Sequence, residues 1–124
     1  MMNNAGVSLP LNPIILNRAP IEFTNFRAEA YLIQPVFGEI SLLTYSLSRN
    51  ANVTVTLTDP NGNVVRTLLS SVAQTAGAKT IEWNGLTDSG KVVSVEGDYT
   101  VTLTALDTVS GLSYQRLGTV VVYK

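Results

Sequence analysis

Val53-Thr-Val-Thr-Leu-Thr-Asp-Pro-Asn-Gly-Asn-Val-Val-Arg-Thr-Leu68 decides the fold. Val53, Val55 and Leu57 alternate with Thr54, Thr56 and Thr58, a two-residue period that places apolar groups on one face of a strand. Asp59-Pro60-Asn61-Gly62 then reverses the chain. Pro60 pre-sets φ for the first central position of a type I turn, and Gly62 accepts the left-handed conformation that closes it with a bulge. Val64 to Leu69 returns as the partner strand.

The same signals recur on both sides. Glu39 to Ser48 alternates, with Leu43, Tyr45 and Leu47 in one phase, and Arg49-Asn50-Ala51-Asn52 turns into the hairpin. Ala28 to Phe37 reads as an earlier strand, interrupted by Pro35. Ser70 to Ala78 reads as a loop of small residues, followed by a strand over Lys79 to Trp83 with Ile81 and Trp83 inward. Tyr99-Thr-Val-Thr-Leu-Thr-Ala105 is the cleanest alternation in the chain, and Tyr114 to Tyr123 is the last strand. No ten-residue window carries a helical period. Six to eight short strands separated by Gly, Asn, Asp and Pro turns give an all-β fold, an antiparallel sandwich.

Residues 1–30 differ. Pro10, Pro13 and Pro20 divide short apolar runs that include Leu9, Leu11, Ile14, Ile15, Leu16, Ile21 and Phe23. Proline removes a ladder donor, so such segments form edge strands or an extended arm, not central strands. The expected organisation is an extended N-terminal arm over 1–30 and a sandwich over 31–124. The arm carries too much apolar surface for a free tail, and it satisfies its backbone best along a sheet edge, in its own molecule or in another copy.

Composition narrows the function. The chain has 124 residues, 45% of them hydrophobic and only 14% charged, with net charge −1. No basic field exists to gather phosphates, which argues against nucleic acid. No run of 18 apolar residues is present to span a membrane as a helix. Cysteine and histidine are both absent, which removes the thiolate nucleophile, the commonest general base and the commonest metal ligands. The expectation is a non-enzyme without catalytic, cofactor or metal residues. Met1-Met2-Asn3-Asn4 lacks the basic start of a cleavable signal.

Three stretches together resemble the Ig-like domain of the flagellar hook-capping protein, a module of many bacterial secreted and surface proteins. They are Thr58-Asp-Pro-Asn-Gly-Asn-Val-Val-Arg-Thr-Leu68, Trp83-Asn84-Gly85 followed by Asp88-Ser89-Gly90-Lys91, and Gly97-Asp98-Tyr99-Thr-Val-Thr-Leu103. The resemblance covers about Leu42 to Asp107. Gln34-Pro-Val-Phe-Gly-Glu39 stands where that module often has a Pro/Asn-rich lead-in. The resemblance implies an Ig-like or fibronectin-III-like sandwich and a structural, assembly role. The residues agree with it: Trp83 suits the space between two sheets with its indole N–H on an acceptor, and Tyr99 suits a corner hydrogen bond.

Other features have ordinary explanations. Asp59, Asn61 and Asn63 alternate oxygen groups as calcium loops do, but without the later Glu or the length. Asn84, Asp88, Glu96 and Asp98 could meet at one end as a cation or carbohydrate site, though solvated turns explain them. Asn52-Val-Thr54 fits a glycosylation sequon. Tyr31, Tyr114 and Tyr123 could stack on sugars or on a subunit. The two threonine rows give a neutral sheet face.

The leading functional expectation is a non-enzymatic domain mediating protein–protein contacts in an extracellular or surface assembly, such as a filament, appendage or cap-like module. Its partners would be copies of itself or a neighbouring structural protein, with a homo-oligomer through the N-terminal arm as one arrangement. Competing readings are a carbohydrate- or ligand-binding module of a larger exported protein and a virion or tail decoration protein.

Overall fold

The computed structural model describes residues 19–123. Eight strands form two sheets: β1 (Phe23–Glu29), β2 (Leu32–Ile33), β3 (Ser41–Leu47), β4 (Ala51–Thr58), β5 (Val64–Gln74), β6 (Gly77–Trp83), β7 (Gly97–Leu106) and β8 (Ser113–Val122). One sheet has the order β1-β3-β6 and the other β2-β8-β7-β4-β5. The chain changes sheet at β1–β2, β2–β3, β3–β4, β5–β6 and β6–β7. The ladders are antiparallel except for β2, which pairs parallel with the end of β8. Helical structure among the described residues is confined to a single 3-10 turn, Pro35–Phe37. The all-β Ig-like sandwich expected from the alternation is the fold observed.

The alternation becomes the core directly. On β4 every odd-numbered residue from Ala51 to Leu57 is buried, and on β7 so are Tyr99, Val101, Leu103 and Ala105. Leu43, Tyr45 and Leu47 of β3 oppose them from the other sheet, with Trp83 at the end of β6. The Trp83 and Tyr99 rings lie 5.5 Å apart. The Trp83 indole N–H donates to the Leu86 carbonyl at 3.0 Å, so the largest core side chain buries no unpaired donor. The Tyr45 hydroxyl donates to Gln74 Oε1 at 2.5 Å, tying β3 to the far end of β5.

The central hairpin closes as its turn residues dictate. Gly62 sits at φ +90°, and its N–H bonds the Asp59 carbonyl at 3.0 Å.

Three expectations need correction. The sandwich begins well before residue 31: β1 pairs with β3 as an edge strand, and Ile21 and Phe23 are buried in the core. Its period is hidden because Asn25, at φ +54°, bulges the strand and shifts the phase, so Phe23 and then Phe26 both turn inward. The strand expected over Ala28 to Phe37 is broken into the end of β1, the short β2 and the 3-10 turn. Pro35, which has no N–H to give a ladder, sits where pairing stops. Ser70 to Ala78 is not a loop. β5 continues through a bulge at Ser71 (φ +51°) to Gln74, and the Ser71 N–H bonds Thr54 Oγ1 at 3.0 Å.

β1 and β8 close one side of the sandwich. Phe26 lies against Gly118, where a Cβ would meet its ring at 2.1 Å, and the Arg116 guanidinium donates to the Phe23 carbonyl at 3.1 Å. The chain enters at the end formed by Leu47, Ala51 and the β7–β8 turn. There the Arg49 guanidinium donates to the Ala19 carbonyl and lies 3.2 Å from the buried Asp107 carboxylate. Residues 1–18, most of the expected arm, lie outside the described residues.

Candidate interaction surface at one pole

The polar residues considered as sites are engaged in local structure. Asp59 Oδ1 accepts the N–H groups of Asn61 and Asn63, both at 2.9 Å. Asp59 is therefore a turn cap, with Oδ1 directed at its own loop. Asn84 Oδ1 accepts the Leu86 N–H at 3.2 Å. Asp88 Oδ1 accepts the Thr67 N–H at 3.0 Å and lies 3.8 Å from Arg66 Nε. Glu96 and Asp98 are exposed at the start of β7. Among the described residues no group of three or more acidic, His or Cys side chains is placed to hold a metal. Asn52 is half-buried on β4, flanked by Ala73 and Leu106 of the neighbouring strands.

The loop from Trp83 to Gly97 covers a sheet edge. The Asp88 N–H bonds the Val65 carbonyl at 3.0 Å, and the Arg66 guanidinium reaches the Thr87 carbonyl at 3.1 Å. These bonds and the Asp88–Thr67 contact cap the outer edge of β5 near its start, one way a sheet blocks unwanted pairing. Tyr99 holds the same loop from the other side: its hydroxyl donates to the Val95 carbonyl at 2.6 Å. Burial pushes the Tyr99 hydroxyl pKa up, the nearby Asp59 charge adds to the rise, and the bond to Val95 opposes it.

The strand register gathers an apolar surface at this pole. Leu32 pairs with Val121 and Val121 with Asp98, while Tyr123 N–H bonds the Ile33 carbonyl at 3.0 Å. The segment 31–40 crosses the pole from β2 to β3. Its inward residues Ile33 and Pro35 are buried, and its outward residues Tyr31, Leu32, Val36, Phe37 and Ile40 are exposed. With Tyr123 they make six of the twelve large apolar side chains exposed among the described residues, so half of that exposure lies on one segment and the strand end bonded to it; Val64 and Val92 add to it on β5 and the 84–96 loop. Such a concentration marks a contact surface more often than scattered exposure does.

The segment is also held in shape. The Gly38 N–H bonds the Pro35 carbonyl at 2.9 Å, and the Gln34 N–H bonds Glu39 Oε1 at 2.8 Å. Pro35 seats on Gly85, which has φ +78° and no room for a Cβ: an added methyl would lie 2.2 Å from Pro35 Cγ. Phe37, 72% exposed, is thus presented on a fixed turn. Of the three tyrosines, Tyr31 and Tyr123 share this pole, whereas Tyr114 is half-buried against the core near the opposite end, paired with Ala105. No sequence period announces the turn itself. Its local signal is Val36-Phe37 bracketed by Pro35 and Gly38.

A second surface is polar. Thr54, Thr104 and Gln115 align across β4, β7 and β8, as do Thr56, Thr102 and Leu117, and Thr58, Thr100 and Thr119. This outer face of the larger sheet carries no charge in those three rows.

The FlgD Ig-like domain family matches residues 34–108, more than half of the 124. The chain belongs to the FlgD Ig-like domain family. The match takes in the pole turn from Gln34, the central hairpin, the Trp83 loop and β7. FlgD from Xanthomonas campestris, whose structure is described as giving insight into hook capping essential for flagellar assembly, is similar to this chain at 26% identity and TM-score 0.55, over 82% of this chain and 66% of that one. FlgD from Pseudomonas aeruginosa is similar in fold at 22% identity and TM-score 0.57, over 72% and 64%. PorZ of Porphyromonas gingivalis, a bacterial surface component of the type-IX secretion system, is similar in fold at 20% identity and TM-score 0.51, over 81% of this chain and 12% of its own. The chain spans less than two thirds of each. No curated protein matches it. No helix of the described residues is long and apolar enough to cross a membrane.

Proposed function

We propose that this FlgD-type Ig-like domain is a non-enzymatic assembly module that makes protein–protein contacts at or outside the cell surface. The observation that carries the reading is the family match together with the exposed apolar pole lying partly inside it. The hook-capping description of the X. campestris relative supports a role in building an appendage, and the surface location of PorZ supports a module used outside the cytoplasm. A preorganised apolar turn loses little conformational entropy when a partner covers it, which suits a structural contact. At the same end Asp59, Asn84 and Asp88 are engaged in turns and edge capping, an arrangement that serves shape.

Sedimentation over a wide concentration range, with and without soluble polysaccharide, tests the reading. An assembly module sediments at multiples of 13.3 kDa independently of the polysaccharide. A monomer at every concentration that is retained by the polysaccharide would replace assembly with ligand binding.

A further inference from the structure

We infer that the exposed pole built by residues 31–40 and Tyr123 is the docking site for residues 1–18 of a second copy, so that copies join head to tail. This rests on the assembly reading and names its partner and its surface. The pole carries apolar side chains on 31–40 and Tyr123, and the exposed carboxylates Glu39, Glu96 and Asp98 lie at the same end, against Lys91 of the adjoining loop among the described residues and Lys124, which follows Tyr123 in sequence. Residues 1–18 have the complementary chemistry. They carry Val7, Leu9, Leu11, Ile14, Ile15 and Leu16, and their one ionisable side chain is Arg18. An apolar segment ending in a cation fits an apolar surface with carboxylates at its border, the charges setting orientation.

The anchor and reach of the chain make the contact intermolecular: Ile14, Ile15 and Leu16 lie three to five residues before the anchored Ala19 and extend at most about 18 Å from it, short of their own pole. β1 runs from Phe23, opposite Leu47, to Glu29, opposite Leu42, that is, from the far end of the sandwich toward the apolar pole. The residues just before it are fixed: Arg49 holds the Ala19 carbonyl, and the Glu22 N–H bonds Ser48 Oγ at 2.8 Å. Pro20 keeps Ala19 extended. Followed backward, the described backbone ends at Ala19, at the end of the domain opposite the pole, about 25 Å away along seven strand residues. Another copy stacked on that end would present its pole to the departing segment. The two surfaces differ, so the contact is heterologous and propagates.

The experiment uses full-length chains and light scattering. Phe37→Asp and Tyr123→Asp alter the pole at exposed side chains, and Leu11→Asp with Ile14→Asp alters the segment. Each alteration alone should bring the mass down to the 13.3 kDa monomer with the circular-dichroism melt unchanged. Mixing a pole variant with a segment variant should restore dimers and nothing larger, because one intact segment then meets one intact pole. High-mass species that survive both kinds of variant would overturn the docking site while leaving an assembly role in place. A wild-type chain that stays monomeric, or a mixture that does, would overturn the head-to-tail contact.

Discussion

The Tyr99 hydroxyl donates a hydrogen bond to the carbonyl of Val95, four residues earlier, at 2.6 Å. Tyr99 is fully buried and its ring packs against Trp83, so the bond fixes the 84–96 loop to the core at the point where β7 begins. That loop caps β5 through Asp88 and supports the pole turn through Gly85. Tyr99→Phe should therefore cost about 1 kcal/mol, the usual net worth of such a bond plus some penalty for a carbonyl left without its donor. A urea melt should show a lower midpoint with an unchanged slope.

Alkaline pH should act through the same residue. Tyr99 and Tyr45 have hydroxyl pKa values raised above 10.0, in both cases chiefly by burial. The unfolded chain releases those protons at lower pH than the folded one, so the folded state holds more protons and stability falls as pH rises. The contribution is fully present below pH 10 and is lost as pH climbs through the folded values. Tyr99→Phe and Tyr45→Phe should each flatten the loss of melting temperature measured above pH 10.

Trp83→Ala should destabilise by about 3–5 kcal/mol, the cost of emptying a large aromatic site. Trp83→Phe should cost less, since it keeps the ring contact with Tyr99 and loses the bond to Leu86. Equal urea midpoints for the two variants would mean that the indole fills no space of its own.

Two glycines should separate by mechanism. Gly62 has open space around it, so Gly62→Ala pays only for left-handed backbone, about 1–2 kcal/mol. Gly85→Ala meets the same strain and also drives a methyl into Pro35, displacing the turn that carries Phe37. Thermal melts should rank Gly85→Ala well below Gly62→Ala.

Most of the sandwich is legible in the sequence where the two-residue period runs unbroken, as on β4 and β7, and where turn chemistry is local, as at Asp59 to Gly62. It fails where a bulge resets the phase. Asn25 hides β1 and Ser71 hides the second half of β5, because each inserts a residue that the pattern counts as a mismatch. The pole turn is illegible for another reason. Its shape depends on Pro35 meeting Gly85, fifty positions later in the chain, and its partner strand β2 is only two residues long. Burial of Ile33 and Pro35 with exposure of Val36 and Phe37 is a tertiary fact, and no short-range period encodes it.

The claim that this domain works through its apolar pole is tested most directly by amide chemical-shift mapping of the full chain across a concentration series. The account predicts shifts and broadening confined to residues 1–22, 31–40 and 121–123, the docking segment with its anchor and the pole that a head-to-tail contact brings together. Changes centred on the threonine rows of β4 and β7, or none at all in a sample that light scattering shows to be associated, would contradict it.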